Sequence, residues 1–231
     1  NLEENNKVYD VAIVGSGAVG LTMAVYLSGL GKSVIVLEAG PKSPSKESQS
    51  YFQAANIIGH EMPGIHHGRF RCMGGTTNFW GGQLVQFDEH IFDRPAISGM
   101  HNWPIGYEDI NPYYKKVLTL LDMENIIMDD NKISDFTGAS KYLKEFNENI
   151  DIFYTRWIPE TNFAILYKDI LENNKNIDIC LNAQVVSFES SNREVASLKV
   201  MLKNGSYKNI KAHSYTLANG TTEIIRFLQN N

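Results

Sequence analysis

The stretch VYDVAIVGSGAVGLTMAVYLSGLGKSVIVLEAG, residues 8–40, decides the fold. Val8 to Val14 is a short run rich in β-branched residues and bounded by glycine, the pattern of a buried parallel strand. From Gly17 to Leu30 the apolar residues Val19, Met23, Leu27 and Leu30 recur at helical spacing, and Gly31 supplies a C-terminal stop. Ser33 to Leu37 reads as a second buried strand that ends at Glu38. Strand, glycine turn, helix and strand within about thirty residues make a βαβ unit, which predicts an α/β fold built on a parallel sheet of Rossmann-like type.

Within that unit, Gly15-Ser16-Gly17-Ala18-Val19-Gly20 assigns each glycine a physical task. These are a tight turn after the strand, close approach of backbone to a pyrophosphate, and close contact between helix and strand. The helix start offers free N–H groups and a partial positive charge to phosphates. Glu38 stands 18 residues beyond Gly20 at the tip of the second strand, where a carboxylate accepts hydrogen bonds from ribose hydroxyls. An acid there disfavours a 2′-phosphate and so argues against NADP. These residues alone leave NAD and FAD both open.

The stretch from Val11 to Gly31 holds 21 uncharged residues, long enough on paper to cross a bilayer. The clustered Gly15, Gly17 and Gly20 would break a membrane helix there, so no transmembrane segment is expected. Glu3, Glu4 and Asp10 precede the apolar part and no small-x-small cleavage site follows, which argues against a signal peptide. Over all 231 residues, 43% are hydrophobic and the net charge is −5, enough apolar content for a core and no basic footprint for nucleic acid. Cys72 and Cys180 are too few for a disulfide framework and lack metal-ligand spacing, so no metal is expected and a cytoplasmic location is the default.

Further along, Gly40 to Ser50 is polar with two prolines and reads as an exposed loop, and Gly64 to Gly82 reads as a long irregular loop of the kind that carries function. Asn111-Pro112 reads as the N-cap and first residue of a helix with Tyr113, Val117, Leu120 and Leu121 on one face. Met123 to Glu148 reads as surface loops with one short helix, and Asp129-Asp130 as a solvated turn. Strands are expected at Ile177–Leu181, Val185–Phe188, Ala196–Leu202 and Tyr215–Ala218, with a hairpin at Asn204-Gly205 and a closing helix from Thr221 to Gln229.

A second cluster, Arg71-Cys72-Met73-Gly74-Gly75-Thr76-Thr77-Asn78-Phe79-Trp80-Gly81-Gly82, joins paired glycines to hydroxyls, an amide and aromatics. Such a loop lays backbone N–H groups against a flat polar ring, with Thr76 and Asn78 available for its edge and Arg71 to balance a pyrophosphate. The bland alternative is a glycine turn over core aromatics, and for Trp80 the core is the favoured place. His66 and His67 precede this loop within reach of an active site, although adjacent loop histidines more often face solvent.

With these motifs in view, the chain resembles the glucose-methanol-choline (GMC) family of flavin oxidoreductases. The resemblance lies in Asp10 to Glu38, in Arg71 to Gly82, and in the run WPIGYEDINPYY at 103–114. It continues through Trp157 to Phe163, the stretch Asn182 to Val186 that leads beside adenine, and LANGTTEIIRFL at 217–228. It implies FAD as cofactor, held by Gly15, Gly17, Ala18, Gly20, Glu38, Arg71, Gly74, Gly75, Thr76, Asn78, Phe79, Val185 and Ala218. It also implies a small-molecule alcohol or sugar substrate, an electron acceptor, and transfer of a hydride from the substrate hydroxyl carbon to flavin N5. Phe79 stands where some relatives carry a flavin-linked histidine, so the attachment is expected to be non-covalent. Asn219 and Thr222 replace residues that are smaller or more apolar in relatives. The family's catalytic histidine pair follows the last helix seen here, so the catalytic residues are expected beyond Asn231 and the chain reads as the N-terminal part of a longer enzyme. The expected division is an FAD-binding segment at 1–90, the start of a substrate or cap region at 91–177, and a second, incomplete FAD-binding segment at 178–231. Two other classes stay open: a flavin-binding module without turnover, and an NAD-linked dehydrogenase.

Overall fold

A computed structural model describes residues 7–92, 102–139 and 153–231 of the chain. Its elements in chain order are β1 (Val8–Val14), α1 (Ala18–Gly29), β2 (Val34–Leu37), α2 (Lys46–Gln53), β3 (Gln83–Leu84), α3 (Tyr107–Leu120) and α4 (Asp130–Thr137). There follow β4 (Arg156–Trp157), α5 (Phe163–Leu166), α6 (Lys168–Asn173), β5 (Ile177–Cys180), β6 (Gln184–Ser191), β7 (Glu194–Met201), β8 (Tyr207–Leu217) and α7 (Thr221–Gln229). The chain divides into two compact units, Asn1–Trp80 with Glu160–Asn231, and Gly81–Pro159.

The first unit carries a six-stranded sheet of order β5-β2-β1-β8-β7-β6. The half made of β5, β2, β1 and β8 is parallel, as expected. The other half, β8-β7-β6, is an antiparallel meander, so the sheet is mixed rather than parallel throughout. β8 serves both halves: Tyr207–Ile210 pair with β7, and Lys211–Leu217 run beside β1. The strand alternation sorts side chains to two cores. Val11, Ile13, Val34 and Val36 face Ala24 of α1, while Ala12, Val14, Ile35 and Leu37 join Ala183, Val185, Leu198, Val200 and Phe227 on the other face.

Several sequence expectations shift. The face of α1 that packs is Gly20, Leu21, Ala24, Val25 and Ser28; Val19 and Leu30 are exposed, and Met23 and Leu27 only flank the core. The reason is proximity. Gly20, Ala24 and Ser28 form a stripe of small residues that lets the helix lie close on the sheet, whereas bulkier side chains would hold it off. The loop expected at 40–50 turns into α2 after Ser45, because Ser45 and Ser48 cap each other: Ser48 N donates to Ser45 Oγ (3.0 Å) and Ser45 N to Ser48 Oγ (3.2 Å). β8 begins at Tyr207, eight residues before the expected start at Tyr215. The Asn204-Gly205 hairpin and the helix Thr221–Gln229 lie where expected.

In the second unit, α3 starts at Tyr107 rather than after Asn111, since Asp109 Oδ2 accepts from Gly106 N (2.8 Å) and caps it. Pro112 therefore falls inside the helix, and Tyr113 and Val117 of the expected apolar face are exposed, while Leu121 is buried. Asp129 is exposed, as expected of a solvated turn residue, and it also caps α4 by accepting from Asn131 N (2.9 Å). Asp130 pairs with the buried Arg156 (2.7 Å), whose guanidinium also donates to the carbonyls of Ile127, Met128 and Tyr154. The part of the expected loop region beyond Ala139 lies outside the described residues. Among the described residues no helix is long and apolar enough to cross a membrane.

Candidate functional site

The C-terminal ends of β2, β1 and β8 and the N-terminus of α1 open on one cavity of about 540 Å³, within the roughly 300–1,000 Å³ range of small-molecule sites. β1 turns at Gly15, whose φ of +99° belongs to the region that favours glycine. A Cβ on Gly15 would stand 2.8 Å from Ala218 O, and a Cβ on Gly20 would overlap Gly15 O. A Cβ on Gly17 would meet nothing within 4 Å; the space above it is open. Gly17 caps α1 with no side-chain hydrogen bond and no acid follows in the first turn, so the helix presents bare N–H groups to the cavity. An uncapped helix start over a cavity is suited to an anion.

The two glycine clusters lie against each other. Gly74 N donates to Ser16 O (3.0 Å), and a Cβ on Gly75 would stand 3.0 Å from Gly17 Cα. The loop keeps its shape through side chains that turn inward. Asn78 Nδ2 donates to Met73 O (2.9 Å) and Gly75 O (2.8 Å), while its Oδ1 accepts from Asn162 Nδ2 (3.0 Å). Thr77 Oγ1 donates to Gly74 O (2.6 Å).

Glu38 is 6% exposed and already partnered: Oε2 accepts from Ser16 N (3.0 Å) and Ser16 Oγ (2.6 Å), and Oε1 accepts from Gly40 N (2.8 Å). Burial pushes its carboxyl above the ordinary glutamate range, against the opposing pull of these donors and of Arg71. The neighbouring Cys72 thiol is pushed up to about 12 by burial and by Glu38, which leaves it protonated and inert near neutrality.

Opposite α1 the wall is basic and aromatic. Arg71 Nη2 donates to Gln184 Oε1 (3.0 Å) and its guanidinium lies 4.9 Å from the Tyr51 ring centre. Glu223 pairs with Arg69 (3.0 Å) and Arg226 (2.9 Å). Gln49 of α2 latches the segment, donating to Arg69 O (2.9 Å) and accepting from Arg71 N (2.9 Å). At the end of β8, Asn219 Oδ1 is buried and has no hydrogen-bond partner, an arrangement that costs about 1–3 kcal/mol while it lasts.

Of the residues singled out in the sequence, Gly15, Gly17, Ala18, Glu38, Arg71, Gly75, Thr76, Val185 and Ala218 line the cavity. Gly20, Gly74, Asn78 and Phe79 do not. Gly20 seats α1 on β1, Gly74 and Asn78 hold the second loop, and Phe79 is exposed, stacked at 4.0 Å on the cavity residue Phe70. Trp80 is only half-buried and borders the cavity rather than filling the core, its Nε1 donating to Thr161 O (2.6 Å). His66 and His67 lie outside the cavity wall, and His66 Nε2 is 2.8 Å from Ala55 O. Sequence reasoning missed Ser16, Gln49, Tyr51, Arg69 and Glu223. For Ser16 the signal was present, a hydroxyl inside a glycine turn facing a strand-end acid; the others are separated too widely along the chain to announce one another.

Residues 10–94 match the family model described as FAD dependent oxidoreductase (DAO). A stretch of 120 residues, 48% of this chain, is 32% identical to 21% of the probable NADH-specific resorcinol 4-hydroxylase of Rhodococcus jostii. Among solved structures, pyridoxine 4-oxidase from Mesorbium loti is similar with a TM-score of 0.59 at 16% identity, over 92% of this chain and 49% of that one. A fungal aryl-alcohol oxidase is similar with a TM-score of 0.57 at 15% identity, over 94% of this chain and 46% of that one. The chain thus spans about a fifth of the curated relative and about half of these oxidases. FAD is the cofactor that goes with this domain, and the residues fit it: a bare helix start, a glycine cradle that a Cβ would fill, and a strand-end acid border one cavity.

Proposed function

We propose that this chain is the flavin-holding part of an FAD-dependent oxidoreductase of the GMC type, acting on an alcohol or sugar hydroxyl. The observation that carries the reading is the direct stacking of the two glycine loops, Gly74 on Ser16 and Gly75 on Gly17, around one cavity. On this reading Gly15, Gly17 and Ala18 hold the diphosphate on the start of α1, and Arg71 balances its charge. Glu38 faces the adenosine ribose; it has already accepted three hydrogen bonds and keeps room for about one more, so Ser16 and Gly40 fix its orientation in advance. Gln184 and Val185 lie beside the adenine, and Gly75 and Thr76 face the ring system, with Gly74 and Asn78 shaping that loop from behind. Phe79 offers no nucleophile, so the cofactor is held non-covalently. Bound FAD would supply the hydride acceptor. The groups of this chain bind and orient it; none of the described residues is assigned the proton transfer from the substrate hydroxyl. Asn1–Trp80 with Glu160–Asn231 forms the FAD-binding unit, and Gly81–Pro159 begins the substrate region.

The test is direct. Purified chain mixed with FAD turns yellow after gel filtration and melts at a higher temperature with FAD than with NAD. Colourless protein that FAD does not protect overturns the reading.

A second reading is favoured by the relative whose name specifies NADH. On it, electrons enter from a nicotinamide rather than from a substrate hydroxyl. Anaerobic bleaching of the bound flavin by NADH, and not by a panel of primary alcohols and sugars, would select it.

A further inference from the structure

The three strand ends that border the cavity lie side by side in the order β2, β1, β8. Their registers pair Val14 with Leu37 on one side and with Leu217 on the other, so the ends are level. Glu38 follows β2, Gly15 follows β1, and Asn219 stands two residues beyond β8. Neighbouring strands are about 4.8 Å apart, which sets Glu38 and Asn219 roughly 10 Å from each other across Gly15. A ligand with its ribose at Glu38 and its diphosphate above Gly15 and Gly17 places the group after the diphosphate over β8. In a dinucleotide that group is a hydroxylated five-carbon chain or ring.

Asn219 meets this position with an open acceptor. It lines the cavity, and its Oδ1 is buried without a partner. An asparagine just before a helix ordinarily turns its oxygen onto the helix's free N–H groups. Here Gly220 precedes α7 as its N-cap and no side chain caps the helix, so that local use is not made. The absence of a side chain on Gly15 permits the approach, since a Cβ there would stand 2.8 Å from Asn219 Cα.

We propose that Asn219 is a cofactor-binding residue whose carboxamide oxygen accepts a hydrogen bond from a hydroxyl on the non-adenosine side of the diphosphate, the ribityl chain in FAD. This assignment rests on the FAD reading above. The second ribose of NAD offers the same chemistry, and ADP lacks the group altogether, so the three ligands separate the sources.

The experiment measures dissociation constants of FAD, NAD and ADP by calorimetry on the 231-residue chain and on Asn219→Ala, together with the ligand-free melting temperature. Expected is a loss of FAD affinity of about 5- to 50-fold with ADP affinity unchanged within about twofold. The ligand-free variant melts no lower than the parent, because removing an unpaired acceptor relieves a cost instead of creating one. Unchanged FAD affinity in Asn219→Ala, or a parallel loss for ADP and a lower melting temperature, overturns the role of Asn219 while leaving the FAD reading intact. Binding of NAD but not FAD by the parent, weakened by Asn219→Ala, keeps the hydroxyl contact and overturns the flavin. A parent chain that binds neither dinucleotide overturns both.

Discussion

The two halves of the mixed sheet use their residues in opposite ways. In the parallel half every side chain of β2 is buried, and β1 is closed in by β2, β8 and α1. In the meander, β6 ends in three exposed residues and β7 begins with three. Glycines follow the same division. Gly15 and Gly20 are places where two backbones approach too closely for a Cβ, while Gly205 only supplies a left-handed turn with open space around it. The lesson is that the parallel half is fixed where backbones touch, while the meander joins the shared core through Val185, Leu198 and Val200 and turns in open space.

That contrast can be broken most forcefully at Gly20. Gly20→Ala drives a methyl group into Gly15 O and forces α1 away from β1, a cost of about 3 kcal/mol or more in urea unfolding. Gly29→Ala, at the other end of the same helix with nothing within 4 Å, is expected to be neutral or stabilising by about 0.5 kcal/mol. Equal effects at the two positions would dissolve the distinction.

Next in size is Ser16→Ala. It removes the 2.6 Å donor to the buried Glu38 carboxylate and lowers stability by about 1.5–3 kcal/mol, read from the same unfolding curves. Glu38 also sets a pH signature. Its carboxyl is raised in the folded state, so the native chain binds more protons there than the unfolded chain. Its contribution is therefore full below the ordinary glutamate pKa and is lost as pH rises through the raised value. Relative to Glu38→Gln, the parent should lose stability with rising pH across that window; a difference that grows more favourable with pH would contradict it.

The smallest expected effect lies in the meander. Asn192 and Arg193 both have positive φ, 53° and 67°, between β6 and β7, the backbone of a tight hairpin turn that prefers glycine at its second position. Arg193→Gly should stabilise the chain by about 0.5–1 kcal/mol. No gain in melting temperature would show that the turn is not what limits this half.

How much of this was legible in the sequence divides along similar lines. The βαβ unit was readable because Val8 to Leu37 encodes strand, turn, helix and strand contiguously. The packing face of α1 was not, because hydrophobic spacing points to Val19 and Leu30 while the sheet selects for small size at Gly20, Ala24 and Ser28. The first half of β8 was missed because Tyr207 to Ser214 is mostly polar and only Ile210 within it is buried, as a ribbon with one solvated face is free to be. In the candidate site, the glycines and Glu38 announced themselves through spacing. Ser16 left a readable signal, a hydroxyl in the glycine turn with a strand-end acid 22 residues on, whereas Arg69 was hidden by an ion pair with Glu223 across 154 residues.

The place of β8 in the sheet also bears on how the molecule is made. β1 finds β2 as soon as residues 8–37 have left the ribosome, yet its other flank stays bare until residues 211–217 emerge. At ordinary rates of translation, about 5–20 residues per second, that interval is on the order of ten to forty seconds. During it the nascent polypeptide exposes a row of unsatisfied amides along one of its most apolar strands, a template for pairing with the wrong chain. The binding edge thus joins strands that lie about 200 residues apart, and the earlier one stays open to wrong pairing until the later one arrives.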